Sequence, residues 1–183
     1  MLCLLPGHLA AKRLDQAYCP LFLIVIIVYT TYMSTPLFLA EDDPLMSRMY
    51  ERAFTAGGFA MTMAFDGEAA ITSLKAMDPK PIIAVLDVMM PKKSGFDVLR
   101  AMKEDASLKS VPVILLTNLA GQQDAEKGLE LGAVAYLVKS QYSPKEIVDK
   151  VKEISAGYSR KEGIPEVKVE VKTTVDSEKP KAA

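Results

Sequence analysis

Five short apolar runs, each followed by a stretch with helical spacing, succeed one another between residues 37 and 155. Leu37-Phe38-Leu39-Ala40 ends in Glu41-Asp42-Asp43. Phe59 to Phe65 alternates as a short strand. Pro81-Ile82-Ile83-Ala84-Val85-Leu86 is continuously apolar and ends at Asp87; Val111 to Leu116 ends at Thr117; Val134 to Val138 ends at Lys139. A continuous apolar run suits a strand buried on both faces. Strands alternating with helices predict an α/β fold, a parallel sheet covered by helices on both faces with right-handed crossovers.

The intervening stretches carry helix punctuation. Pro44 to about Ala56 places Met46, Met49, Tyr50 and Ala53 on one side, opens on proline and closes at Gly57-Gly58, which are favoured start and stop residues. Helices are also expected over Gly67 to Met77, Phe96 to Lys103 and Ala120 to Leu131, the last stopped by Gly132. Ser143-Pro144-Lys145-Glu146 supplies a cap, a first-turn proline and an acidic cap partner for a helix to about Ser155.

Three segments follow from composition. Residues 36–156 form the domain. Residues 1–35 are an apolar extension without charge between Asp15 and Glu41, and Lys12 and Arg13 precede its apolar run. A signal peptide or signal anchor over about 17–33 is one reading, although a spanning helix needs ~20 apolar residues. The other is an extension upstream of a start at Met33-Ser34-Thr35-Pro36. An anchor with Lys12 and Arg13 inside would send the domain outside. Residues 157–183 mix charges of both signs and read as a disordered tail, with Val167–Lys172 as a weak edge strand.

Composition also excludes chemistry. The two cysteines and the only histidine lie within the first 19 residues. That argues against a disulfide framework, a Cys/His zinc site or any histidine base in the body of the chain. A formal net charge of -1 is unlike the basic footprint of a nucleic-acid binder. No P-loop or GxGxxG motif occurs.

Ligands of open parallel sheets bind beyond the carboxyl ends of the strands. There this chain places Glu41, Asp42, Asp87, Thr117 and Lys139. Crowded carboxylates repel, which raises the pKa of at least one unless a cation relieves them. Mg2+ prefers oxygen ligands and joins carboxylates to phosphates. Asp87 can attack phosphorus as a carboxylate nucleophile, with Lys139 and the Thr117 hydroxyl sharing the phosphoryl charge.

Residues 37–156 resemble the receiver domain of bacterial two-component response regulators. The resemblance rests on Leu39-Ala40-Glu41-Asp42-Asp43-Pro44, on Leu86-Asp87-Val88-Met89-Met90-Pro91 followed by Ser94-Gly95, on Leu115-Leu116-Thr117, and on Ala135-Tyr136-Leu137-Val138-Lys139. It implies a flavodoxin-like (βα)5 doubly wound sheet with strand order 2-1-3-4-5. It implies a single-domain, cytoplasmic switch, not an enzyme and not a direct nucleic-acid binder, membrane-attached only if 17–33 is an anchor. Asp87 would take a phosphoryl group from a sensor histidine kinase or phosphotransfer protein. Glu41, Asp42, Asp87 and the main-chain carbonyl of Met89 would bind Mg2+. Thr117 and Lys139 would contact the phosphoryl group, and Tyr136 would be the rotating aromatic. The output would be a downstream protein or a self-dimer through the face of the fourth helix, fifth strand and fifth helix. Asp43, one place past the usual pair, reads as a helix N-cap.

The chain departs from that pattern at several positions. Ser140 follows Lys139 where the family usually has a cis proline; a cis bond without proline costs about 2.5–4 kcal/mol. Asn118 replaces a small residue. If these spoil the pocket, the chain is a non-switching interaction module. Met89 and Leu119 stand two past Asp87 and Thr117, where family polar groups position hydrolytic water, so slow self-dephosphorylation is expected. Met89 also argues against an aspartyl phosphatase, which carries a second acid there.

Overall fold

The computed structural model describes residues 35–158. The candidate anchor at 17–33 and the tail beyond 158, with its Val167–Lys172 alternation, lie outside the described residues. Among the described residues no helix is long and apolar enough to cross a membrane. Five strands, β1 (Thr35–Ala40), β2 (Phe59–Ala64), β3 (Ile83–Leu86), β4 (Val113–Thr117) and β5 (Ala135–Val138), form one sheet. All neighbours pair in parallel, in the order β2-β1-β3-β4-β5. Helices α1 (Pro44–Ala56), α2 (Gly67–Ala76), α3 (Gly95–Glu104), α4 (Gln122–Glu130) and α5 (Pro144–Tyr158) follow the strands in turn. This is the architecture expected from the alternation.

Successive side chains of the central strands enter opposite core layers, which is why their sequence shows no polar alternation. Phe38, Ala40, Ala84, Leu86, Leu115 and Tyr136 pack with Leu74 of α2, Leu99 of α3 and Ala125 of α4. Leu37, Leu39, Ile83, Val85, Ile114 and Leu137 pack with Tyr50 and Phe54 of α1 and Ile147 and Val151 of α5. Each Leu, Ile, Val or Phe among them contributes roughly 1.5–3 kcal/mol by leaving water. The buried stripe of α1 differs from expectation. It is Ser47, Tyr50 and Phe54, with Met46, Met49 and Ala53 packed half-buried along its flank.

Caps fix where the helices start. The Asp43 carboxylate accepts the Leu45 N–H at 2.7 Å and the Met46 N–H at 3.2 Å. Ser94 and Asp97 form a reciprocal capping box on α3. The Glu146 carboxylate accepts the Ser143 N–H at 2.7 Å while the Glu146 N–H donates to the Ser143 hydroxyl. Helix α4 begins two residues later than the periodicity predicts, with Gly121 at its N-cap and no side-chain cap bond. Gly58, at φ 91°, turns the chain from α1 into β2 in a conformation that side-chain-bearing residues rarely adopt.

Candidate functional site

Sheet register brings the acids together. Ala40 pairs with Leu86, so Glu41 and Asp87 leave adjacent strands at the same level. The Asp87 N–H donates to the Ala40 carbonyl at 2.9 Å, and the Glu41 N–H to the Ala64 carbonyl at 3.0 Å. Asp42 follows, and one carboxylate oxygen from each of Glu41, Asp42 and Asp87 lies within 4.8 Å of the others. Lys139 arrives from the end of β5. Its ammonium donates to Asp87 Oδ2 and Glu41 Oε2, each at 2.6 Å. Lys139, Glu41 and Asp87 are all buried. The other Asp87 oxygen accepts the Met89 N–H at 3.0 Å, so both carboxylate oxygens are held.

The electrostatics follow from this packing. Burial raises the pKa of Glu41, the hydrogen bond and charge of Lys139 work against that, and the Asp87 charge adds to the rise. The expected upward shift is present, but desolvation causes more of it than repulsion does. Burial also works against the Lys139 ammonium; its hydrogen bonds to Asp87 and Glu41 outweigh this and hold its pKa above the ordinary lysine value. Three carboxylates against one ammonium leave two formal negative charges unbalanced. A divalent cation with oxygen preference fits that donor set.

The expected difficulty at Ser140 does not arise. The cis peptide among the described residues is Asp78–Pro79, so the Lys139–Ser140 peptide is trans. Residues Lys139–Gln141 form a short 3-10 turn, and Lys139 still reaches both acids. Asn118 is exposed. Thr117 ends β4, fully buried. Its hydroxyl oxygen accepts the Leu119 N–H at 3.3 Å. Tyr136 is turned inward, 3% exposed, and its hydroxyl donates to the Leu119 carbonyl at 3.0 Å. Leu119 therefore links Thr117 to Tyr136 through its own two main-chain groups. Desolvation, then the charges of Asp124 and Asp87, push the Tyr136 phenol up to about 12.

Two supports were not singled out as functional from sequence. Ser47, buried on α1, donates its hydroxyl to the Glu41 carbonyl at 3.0 Å; its only signal is a polar residue within an apolar stripe. Gly95 opens α3 directly against the end of β3 and Asp87. Its N–H donates to the Val88 carbonyl at 3.1 Å, and any Cβ there would overlap the Asp87 carbonyl. Among the described residues, three large apolar side chains stand exposed, Leu45, Phe65 and Met89, each shortly after the carboxyl end of a strand.

Comparison with known proteins agrees with this geometry. The chain is 38% identical over 107 residues to the response regulator PleD of Caulobacter vibrioides, covering 58% of this chain and 23% of PleD. The chain thus spans about a quarter of that relative's length. Among solved structures it resembles the phosphorylated cyanobacterial phytochrome response regulator RcpA, with TM-score 0.60, 26% identity, and coverage of 72% of this chain and 99% of that one. It also resembles a structure of the CheX–CheY–BeF3–Mg2+ complex from Borrelia burgdorferi, with TM-score 0.62, 27% identity, and coverage of 69% and 92%. The family model for the response regulator receiver domain matches residues 37–152, and the chain belongs to that family.

Proposed function

We propose that this chain is a phosphorylation-activated receiver in which Asp87 accepts a phosphoryl group from the phosphohistidine of a sensor kinase or phosphotransfer protein. The observation that carries the reading is the convergence of Glu41, Asp42, Asp87 and Lys139 at one sheet edge. An Asp87 carboxylate oxygen attacks phosphorus as the phosphorus–nitrogen bond of the donor breaks, leaving an acyl phosphate. Lys139, already 2.6 Å from Asp87, balances charge on the phosphoryl oxygens, and the Thr117 hydroxyl at the end of β4 offers a further hydrogen bond. Glu41, Asp42, Asp87 and the Met89 carbonyl would hold Mg2+, which when bound supplies positive charge to the phosphoryl oxygens. Asp87 is consumed as an acceptor, so the reading assigns the domain a switch and not a turnover.

Pulling Thr117 toward a phosphorylated Asp87 would shift Leu119, and with it the Tyr136 hydroxyl. The surface of α4, β5 and α5 then changes its affinity for a protein partner or a second copy of itself, a population shift between two states. A non-switching module would follow if Asn118 and Ser140 spoiled the pocket; against it, Asn118 is exposed and Lys139 reaches both acids. Acetyl phosphate with Mg2+ should add one phosphoryl group to the chain, detected by intact mass, and Asp87→Asn should abolish the addition. A parent chain that stays unmodified under these conditions overturns the reading.

A further inference from the structure

Gly128 lies inside α4 and is buried. A helix-interior glycine is disfavoured relative to alanine, so a packing reason is needed. A Cβ at this position would stand 2.6 Å from Leu115 Cδ1, 3.3 Å from Tyr136 Cδ2 and 3.6 Å from Phe96 Cε1. Leu115 is fully buried in β4 and Tyr136 is 3% exposed, so both sit in the close-packed interior. The other buried residue of α4 is Ala125. The helix therefore rests on the sheet through two small residues, and bare backbone faces the Tyr136 ring. That ring donates its hydroxyl to Leu119, in the loop that leads into α4.

We infer that Gly128 is a positioning residue for the switch: its missing side chain lets α4 close over the inward-turned Tyr136 ring, which couples the depth of the helix to the rotamer of the tyrosine. An added methyl sets the two against each other. The methyl meets Leu115 first, at 2.6 Å, so α4 lifts from the sheet and the Tyr136 ring, 3.3 Å from the added carbon, loses its cover. This uncovers Tyr136, while Asp87 is not among the atoms nearest the altered position. The inference rests on the switch reading only for its consequence, that α4 carries the output surface.

The test is tetranitromethane nitration of the unphosphorylated full chain, with modification at Tyr136 mapped by peptide mass. Gly128→Ala should nitrate Tyr136 roughly tenfold faster than the parent, while acetyl phosphate still adds one phosphoryl group. Adding Leu115→Val removes the nearest clashing methyl and should return nitration close to the parental rate. General loosening of the core predicts the reverse, because the double variant loses further packing. An unchanged rate in folded Gly128→Ala overturns the inference, as does acceleration that Leu115→Val does not reverse. If Gly128→Ala fails to fold, the double variant must fold with Tyr136 protected; its failure also overturns it. Because nitration is read without phosphorylation, an unphosphorylatable parent chain would count against the proposed function alone.

Discussion

The Lys139 ammonium stands 2.6 Å from the Asp87 carboxylate with both side chains buried, and it meets Glu41 at the same distance. One cation thus bridges two acids that repel each other and have little access to water. Its removal leaves them uncompensated in a site of low dielectric. Lys139→Met should cost about 3–5 kcal/mol in the absence of divalent metal, the usual penalty for breaking a buried pair. Mg2+ should restore much of that loss. Urea unfolding with EDTA and then with Mg2+ checks both halves; an unchanged midpoint in EDTA would show that the bridge carries no net stability.

Gly95 sets how close α3 comes to Asp87. A Cβ there meets the Asp87 carbonyl, with Val88 Cα at 3.0 Å, and main-chain atoms cannot turn aside as a side-chain tip can. Gly95→Ala should therefore destabilise by about 3 kcal/mol, at the upper end for overpacking, and slow phosphorylation of Asp87 by moving its backbone. Denaturant melts and the acetyl phosphate rate measure the two effects. A stable variant with parental phosphorylation would refute the contact.

Burial, reinforced by the charges of Asp124 and Asp87, holds the Tyr136 phenol up at about 12. This lies above the ordinary 10.0 that the unfolded chain would show. The neutral phenol thus supports the fold fully below pH 10, and the support is lost as pH rises through the folded value. Stability of Tyr136→Phe should fall less steeply between pH 10 and 12 than that of the parent. In absorbance titration the variant should lack one late phenolate step; retention of that step would place the raised pKa elsewhere.

Much of the architecture was legible because it depends on short-range pattern. Apolar runs fix the strands, Asp43 and Ser143 fix helix starts, and strand order comes with the family pattern. The acids and Lys139 could be named because their positions at strand ends are readable one residue at a time. What pattern could not give was contact across the fold. Nothing local shows that Lys139 would reach Glu41 and Asp87 from a trans peptide before Ser140. Likewise, Gly128 reads as an unremarkable helix residue until Leu115 and Tyr136 are seen against it. The face of α1 was displaced for a related reason: Ser47 is buried because its hydroxyl finds the Glu41 carbonyl, a tertiary hydrogen bond that hydrophobic periodicity does not register.

Loss of the phosphoryl group from Asp87 needs a water aligned behind phosphorus, and alignment requires a hydrogen-bonding group near its path. On the proposed reading, Met89 and Leu119 would flank such a water. Met89 is 59% exposed, and both residues offer apolar side chains with no strong donor or acceptor. The acyl phosphate should therefore be long-lived. Met89→Asn with Leu119→Glu should speed its hydrolysis by roughly ten- to hundredfold, up to what a misplacement of about 1 Å costs. The exposure of Met89 makes its half of the change inexpensive for the fold. Decay of the phosphorylated mass after removal of acetyl phosphate gives both rates directly. Fast decay in the parent, with no change in the double variant, would mean that the water is positioned by other groups.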